Sequence, residues 1–289
     1  MERLAAASLV APFRAIWLSG THSLATKADT ATGEVMVKKV ALVTGAAAGI
    51  GAAIAKRLAR DGVAIGVLDI LIDDAQKTAD EIKAEGGKAI ALQANIADRD
   101  QVRHAVQQLR DAFGPVTILV NNAGITGFVP FEQMTDEQWD KMMEINLKGT
   151  FIVTQVCLPD MKDAEWGRIV NISSSSAQTG SALMTHYSAS KGGMIALTRS
   201  LAVELGGYGI TCNTIPPRFV MGTVMSEKSF ADANIGNLPM SRETMEQAGP
   251  VKRAGKPEDI ASAAAWLCQD DASYVTGQVI GVNGGRVIG

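Results

Sequence analysis

The sequence lacks most of the features that mark metal centres, disulfide scaffolds, membrane spans and nucleic-acid surfaces. It has three cysteines in 289 residues. Cys157, Cys212 and Cys268 lie far apart with no CxxC or Cys/His spacing, so neither a zinc site nor a disulfide framework is indicated, and a reducing compartment fits. No apolar run reaches the ~18 residues of a membrane-spanning helix without meeting charge or proline. Positive charge is not in excess: 27 Lys and Arg against 30 Asp and Glu leave a formal net charge of −3 and a pI near 5.7. That balance gives no electrostatic reason to expect nucleic acid or an anionic membrane as a partner. Internal repeats and low-complexity tracts are absent too. What is present, 47% hydrophobic and 20% charged residues, belongs to a soluble globular protein, for which a cytoplasmic location is the expectation.

Residues 1–36 have no place in the pattern that follows. Their apolar stretch is broken by Pro12 and followed by Arg14, and the remainder is rich in Ser, Thr and Ala. A disordered extension is expected; an upstream start, with Met36 the natural one, and a targeting segment are the alternatives.

From Val37 onward, short apolar runs alternate with longer amphipathic stretches, the signature of repeated βαβ units. Seven runs read as buried strands: Val40–Thr44, Val63–Asp69, Ala89–Ala94, Ile118–Asn121, Ile169–Ser173, Ile210–Ile215 and Gln278–Val282. Five stretches read as long helices: Gly51–Arg60, Asp74–Glu85, Gln101–Phe113, Asp136–Met161 and Tyr187–Leu205. The expectation is an α/β fold over residues 37–289, a single domain built on a doubly wound, seven-stranded parallel sheet of Rossmann type. Its ligand site should lie at the carboxyl ends of the strands. Residues 217–250 break the rhythm with Pro217, Pro239, Pro250 and several methionines; they read as a substrate loop, or as a plain surface loop.

The first strand runs through Thr44-Gly45-Ala46-Ala47-Ala48-Gly49-Ile50-Gly51 straight into a helix. Glycines on such a turn let backbone approach a pyrophosphate, and the free N–H groups of the helix N-terminus attract the anion. Gly-x-x-x-Gly-x-Gly departs from the usual dinucleotide fingerprint, however, and glycines alone can mark only tight packing. The second strand ends at Asp69, about 20 residues on, where a carboxylate can accept hydrogen bonds from ribose hydroxyls. The same charge repels a 2′-phosphate, and Ala48 offers no basic group to neutralise one, which favours NAD over NADP. A cap for the next helix is the plainer reading of Asp69.

Further segments follow in order: Asn121-Asn122-Ala123-Gly124, Asn146, Ser174, Tyr187-x-x-x-Lys191, Arg253-x-Gly255-x-Pro257-Glu258-Asp259 and Thr276-Gly277-Gln278. With the glycine turn, this series resembles the short-chain dehydrogenase/reductase family over nearly all of Val37–Gly285. The resemblance implies that Gly45, Gly49, Ile50 and Gly51 hold the pyrophosphate side of the cofactor, Asp69 the ribose, and Asn95 with Ile96 the adenine. Asn122, Ala123 and Gly124 would line the cofactor floor. It further implies a catalytic tetrad of Asn146, Ser174, Tyr187 and Lys191, with Lys191 also binding the nicotinamide ribose, and a homotetramer built through the two longest helices and the last strand.

The residue types fit that chemistry. Tyr187 and Lys191 are one helical turn apart on one face. A phenol ordinarily ionises near pH ~10, and a neighbouring ammonium favours the phenolate. Tyr187 would donate a proton to a carbonyl oxygen as hydride arrives, and withdraw it in the oxidation direction. Ser174 would hold that oxygen, with Ser173, Ser175 and Ser176 as alternatives, and Asn146 would hold a water linking Lys191 to solvent. His186 could meet substrate or serve as a structural wall.

Where the family usually has Pro-Gly after the sixth strand, this chain has Pro217-Arg218. Pro217 and the backbone of Val220 match cofactor-contacting positions, and Thr223 stands one place displaced. Arg218 would be strained if a positive φ were required there, and it invites binding of an anionic substrate group. Leu183, Met184, Phe219, Met221, Val224 and Met225 are candidates for an apolar substrate pocket. The leading expectation is therefore an NAD-dependent dehydrogenase or ketoreductase of small to medium hydrophobic ketones and secondary alcohols. The rivals are a 3-oxoacyl-(acyl-carrier-protein) reductase and a non-catalytic NAD-binding regulator.

Overall fold

Strands buried on both faces must be apolar throughout, and the computed structural model places the continuous apolar runs accordingly. It describes residues 37–288 apart from Val224, residues 228–246 and Ala248; the expectations for residues 1–36, for Val224 and for most of the 217–250 loop lie outside the described residues. Six strands, β1 (Val40–Thr44), β2 (Ala64–Asp69), β3 (Ala89–Gln93), β4 (Ile118–Asn121), β5 (Gly167–Ile172) and β6 (Ile210–Ile215), form one parallel sheet in the order β3-β2-β1-β4-β5-β6. The order reverses at β1, so the crevice between the carboxyl ends of β1 and β4 is the topological switch point.

Alternate residues of each strand feed opposite cores. Ala41 and Val43 of β1 pack with Ile54, Ala55 and Leu58 of α1 (Gly49–Arg60), Ala75, Ala79 and Ile82 of α2 (Ile72–Ala84), and residues 260–268 at the C-terminal side of the domain. Val40 and Leu42 face the other way, onto α3 (Arg99–Phe113), α5 (Gly149–Asp163) and α7 (Thr185–Leu205). Gly66 of β2 is bare because a Cβ there would stand 2.6 Å from a methyl of Leu109.

A buried polar ladder sets the seating of α5 and α7 on the sheet. Asn121 and Asn171 are register partners on β4 and β5. The Asn121 amide donates to Thr154 of α5 and to Asn171, which in turn donates to Thr198 of α7. Buried amides that find such partners specify one packing, because leaving any of them unpaired costs about 1–3 kcal/mol.

The structure departs from the sequence expectation in three places. The seventh segment forms no extended strand: Gln278–Val282 touches β6 through a single parallel bridge, Thr214 to Val279, with hydrogen bonds from Thr214 N to Gln278 O and from Ile280 N to Thr214 O. The helix expected over 136–161 is three pieces, α4 (Asp136–Met143), a π-helical turn (Glu144–Lys148) and α5. A helix absent from the sequence reading, α8 (Pro257–Leu267), packs along α1. Its signal was there: proline at the first position followed by Glu258 and Asp259 is a helix start. Among the described residues no helix is long and apolar enough to cross a membrane.

Candidate active site

The turn after β1 is tied to the turn after β4. The Thr44 hydroxyl accepts from the backbone N–H groups of both Asn122 and Ala123, and the Asn122 amide donates to the carbonyls of Thr44 and Gly45. This contact leaves no room for side chains: a Cβ on Gly51 would lie 2.2 Å from the Gly45 oxygen, and one on Gly45 2.8 Å from the Ala123 α-carbon. Gly45 and Gly49 also have φ of 63° and 59°, which L side chains resist. α1 then begins with no side-chain cap and no acidic residue in its first turn, so its leading N–H groups are left for an anion.

Asp69, at the carboxyl end of β2, accepts from Ala47 N of this turn and from Leu71 N. The carboxylate ties the glycine turn to the β2–α2 connection; it does not cap α2, which begins without a side-chain cap. An uncapped helix N-terminus beside a bare-backbone turn and a strand-end carboxylate is a donor set that fits a dinucleotide. Asn95 and Ile96 lie just past the end of β3, the strand paired with β2. Ile96 is buried against Gly149 of α5, whose missing Cβ makes the space, and the exposed Asn95 accepts from Ala97 N within its own loop.

The four tetrad candidates converge from three elements. A cavity of about 410 Å³ is lined by Ser174, Tyr187 and Lys191 together with Ile50, Asn122 and Gly124, so it is continuous with the glycine turn. Ser174 lies past the end of β5, within hydrogen-bonding reach of the Tyr187 phenol, and its hydroxyl accepts from the Ser176 hydroxyl at 2.9 Å. Ser173 is turned away, donating to the Ile215 carbonyl; of the serine run, Ser174 is the one beside the phenol.

Asn146 is buried inside the π-helical turn, where the inserted residue swings its side chain off the helix axis. Its oxygen accepts from Ile125 N, and its amide donates to Ile125 O and to Ser190 of α7. Through these bonds Asn146 fixes the β4–α4 loop and the residue before Lys191. Gly124 is the meeting point: a Cβ there would stand 2.9 Å from the Asn146 oxygen and 3.4 Å from Lys191 Nζ.

Lys191 follows Tyr187 by one turn of α7. Its ammonium donates to the Ile172 carbonyl at 2.9 Å and lies 6.0 Å from the Tyr187 ring centroid. Burial pushes the phenol above its ordinary value, opposed only by the Ser174 hydroxyl, while burial brings Lys191 down to about 8. Burial thus favours the neutral form of the phenol. His186 is buried with Nε2 toward Gly127, does not line the cavity, and has its imidazolium disfavoured by burial; it is a structural wall.

The substrate side is formed by two loops. Pro217, Phe219, Val220 and Met225 from one and Met184 from the other line the cavity, but Leu183 and Met221 do not. Leu183 has a φ of 62° and its carbonyl accepts from Val129 N, which directs its backbone into the loop contact. Arg218 has no positive φ; the left-handed residue is Phe219, at 48°. Strain expected at the arginine therefore falls on its neighbour, and it is held there by the Arg253–Asp259 segment. Gly255 N donates to Phe219 O, Met221 N donates to Gly255 O, and Asp259 anchors the segment by a two-point ion pair with Arg253. Thr126, Phe128 and Ala182 also line the cavity, and no sequence pattern marked them, since they reach it only through loop conformation.

A family model described as short chain dehydrogenase matches residues 39–234. A 3-oxoacyl-(acyl-carrier-protein) reductase of Thermotoga maritima is 40% identical over 251 residues, 86% of this chain and 98% of that protein. A (2S)-((R)-hydroxy(phenyl)methyl)succinyl-CoA dehydrogenase subunit of Thauera aromatica is 39% identical over 248 residues, 86% of this chain and 96% of that one. A 3-oxoacyl-(acyl-carrier-protein) reductase of Staphylococcus aureus is 40% identical over 248 residues, 86% and 97% respectively. With the switch-point crevice, the glycine turn and the serine–tyrosine–lysine cluster on one cavity, these matches establish that the chain belongs to the short-chain dehydrogenase/reductase family of oxidoreductases.

Proposed function

We propose that the protein transfers a hydride between NAD(H) and a ketone or secondary alcohol, with Tyr187 as the proton-transfer group. The observation that carries this reading is the placing of a buried phenol and a serine hydroxyl side by side in a cavity that opens onto the uncapped end of α1. Gly45, Gly49, Ile50 and Gly51 would take the pyrophosphate, Asp69 the adenosine ribose, and Asn122, Ala123, Gly124, Pro217 and Val220 the nicotinamide half. When bound, the nicotinamide supplies or accepts the hydride at the substrate carbon. Ser174 donates to the substrate oxygen and orients it toward Tyr187. In reduction Tyr187 gives that oxygen its proton, and in oxidation takes one from the alcohol. Lys191 places a positive charge beside Gly124 and the nicotinamide ribose, and Asn146 keeps the Ile125 loop and Ser190 in position for it.

NAD is favoured over NADP because the residues after Asp69 are Ile70 and Leu71, both exposed and apolar, where a 2′-phosphate would need a cation. Asp69→Asn removes the charge and keeps one of the two oxygens that now accept separately from the Ala47 and Leu71 amides. The kcat/KM ratio for NADH over NADPH is expected to fall by about a hundredfold in this variant; an unchanged ratio in initial-rate assays rejects the assignment.

A second substrate reading is favoured by the relatives, whose names describe a 3-oxoacyl group on a carrier protein and a hydroxy-substituted acyl-CoA. Reduction of 3-oxoacyl thioesters is therefore to be assayed beside simple ketones, following NADH absorbance with the full chain. Turnover of no carbonyl substrate with either cofactor overturns the proposed function. We also infer a homotetramer: a groove between the π-helical turn, α5 and α7, lined by Met143, Leu147, Phe151 and Leu197, suits a second copy. Light scattering is expected to give four times the chain mass of 30.3 kDa, and a monomer mass excludes this.

A further inference from the structure

One arginine lines the cavity and a second stands beside the Phe219 ring of its wall, neither with a carboxylate partner among the described residues. Arg218 lines the cavity, and its guanidinium donates to the Thr179 hydroxyl at 3.2 Å. Arg286, from the C-terminal segment, lies 6.0 Å from the centroid of the Phe219 ring, itself a cavity wall. One of its guanidinium nitrogens, Nη2, is buried with no hydrogen-bond partner. Among the described residues neither arginine takes part in an ion pair, although most of the other arginines do.

The arrangement is costly as it stands. A buried guanidinium N–H without an acceptor loses its solvation for nothing, and the ring face of Phe219 attracts the cation without accepting that N–H. The two cations also oppose each other: the Arg286 guanidinium is held below its ordinary value first by burial and then by Arg218. Arg286 is nonetheless kept in place, its stem lying over Gly249, where a Cβ would come within 2.7 Å of the arginine Cγ. Two guanidinium groups that repel each other and have no carboxylate between them among the described residues, one on the cavity lining and one beside its Phe219 wall, suit the oxygens of a carboxylate or phosphate.

We propose that Arg218 and Arg286 form the anion-binding end of the substrate site, so that the ketone or alcohol turned over here carries a carboxylate or phosphate group. This rests on the oxidoreductase reading and narrows it, since the pocket expected from its apolar lining alone would prefer neutral molecules.

The test compares matched substrates within each of three proteins, the wild type, Arg218→Gln and Arg286→Gln, so that any general loss of turnover cancels. One pair is a 3-oxo acid and its ethyl ester; the other is a 3-oxoacyl thioester of phosphopantetheine and that of N-acetylcysteamine. The kcat/KM ratio of charged to neutral substrate is expected to fall about tenfold or more in each variant. A fall confined to the first pair assigns a carboxylate, and one confined to the second assigns a phosphate. Ratios unchanged in both pairs and both variants overturn the proposal. Calorimetric titration of the full chain with succinate and with inorganic phosphate tests the subsite apart from turnover. Binding weakened about tenfold or more in the variants supports it even where no ketone is reduced, and equal binding by all three proteins rejects it. Arg218 is half-buried with one hydrogen bond, so its replacement keeps the test valid should Arg286→Gln misfold.

Discussion

Tyr187→Phe is expected to lower kcat/KM for ketone reduction by between about 10²- and 10⁴-fold, the range over which positioned proton transfer contributes. The substitution removes one oxygen and its proton and leaves the ring, so the fold and the cavity wall persist. Because burial holds the phenol above its ordinary value, the lost group is a donor already carrying its proton through the neutral range. Any fall in wild-type reduction on the alkaline side near pH 8 belongs instead to Lys191, whose ammonium titrates there, and it should vanish in Lys191→Arg. Stopped-flow or steady-state traces of NADH consumption read both effects. Retention of more than a tenth of wild-type activity by Tyr187→Phe removes Tyr187 from the chemistry, whereas ketone-dependent NADH oxidation that the substitution abolishes disposes of a catalytically idle regulator as the rival reading.

Lys191→Met is expected to cost activity and raise stability. The ammonium is buried, hydrogen-bonded to one carbonyl and faced by no carboxylate among the described ion pairs. Its displacement from 10.5 to about 8 corresponds to on the order of 3 kcal/mol held against the folded state. Leaving the Ile172 carbonyl without its donor returns about 1 kcal/mol. The net gain of about 2 kcal/mol raises Tm by roughly 4–8 °C in a chain of this size, while kcat/KM falls about 10²-fold or more. For a base whose pKa is depressed on folding, the penalty is complete below about 8, where both states are charged, and fades as pH rises toward the ordinary value. The Tm advantage of the variant must therefore shrink across that alkaline window. Calorimetric scans at neutral and alkaline pH decide the point: a variant no more stable than wild type at neutral pH refutes this account of the buried charge.

How much of this was legible in the sequence follows from which forces leave a local trace. Val40–Thr44, Ile118–Asn121 and Ile210–Ile215 match their strands residue for residue, because a strand covered on both faces admits only apolar or paired side chains. The 278–282 run looks the same locally, yet pairing is a tertiary event and β6 offers it a single bridge. The π-helical turn at Asn146 hides for a related reason. One inserted residue does not disturb the apolar spacing of 136–161 enough to be seen, and the purpose of the insertion lies in Ile125 and Ser190, remote in sequence. α8 went unread because its alanine-rich face gives little contrast between its two sides. At the site, residue types carried Ser174, Tyr187 and Lys191 to one cavity, but the protonation states depended on burial. Leu183 and Met221 were misplaced because loop direction there is set by hydrogen bonds to Val129 and Gly255.

The seam between α1 and α8 makes the two halves of the site mechanically one. α1 carries at its leading end the turn proposed for the phosphates, and α8 is led by the segment whose Gly255 hydrogen-bonds Phe219 and Met221 of the loop that walls the cavity. Ile54, Ala55 and Leu58 share one core with Ile260, Ala264 and Ala265. On the proposed reading, a cavity opened in that core is expected to weaken the binding of cofactor and substrate together, through a joint that neither of them touches.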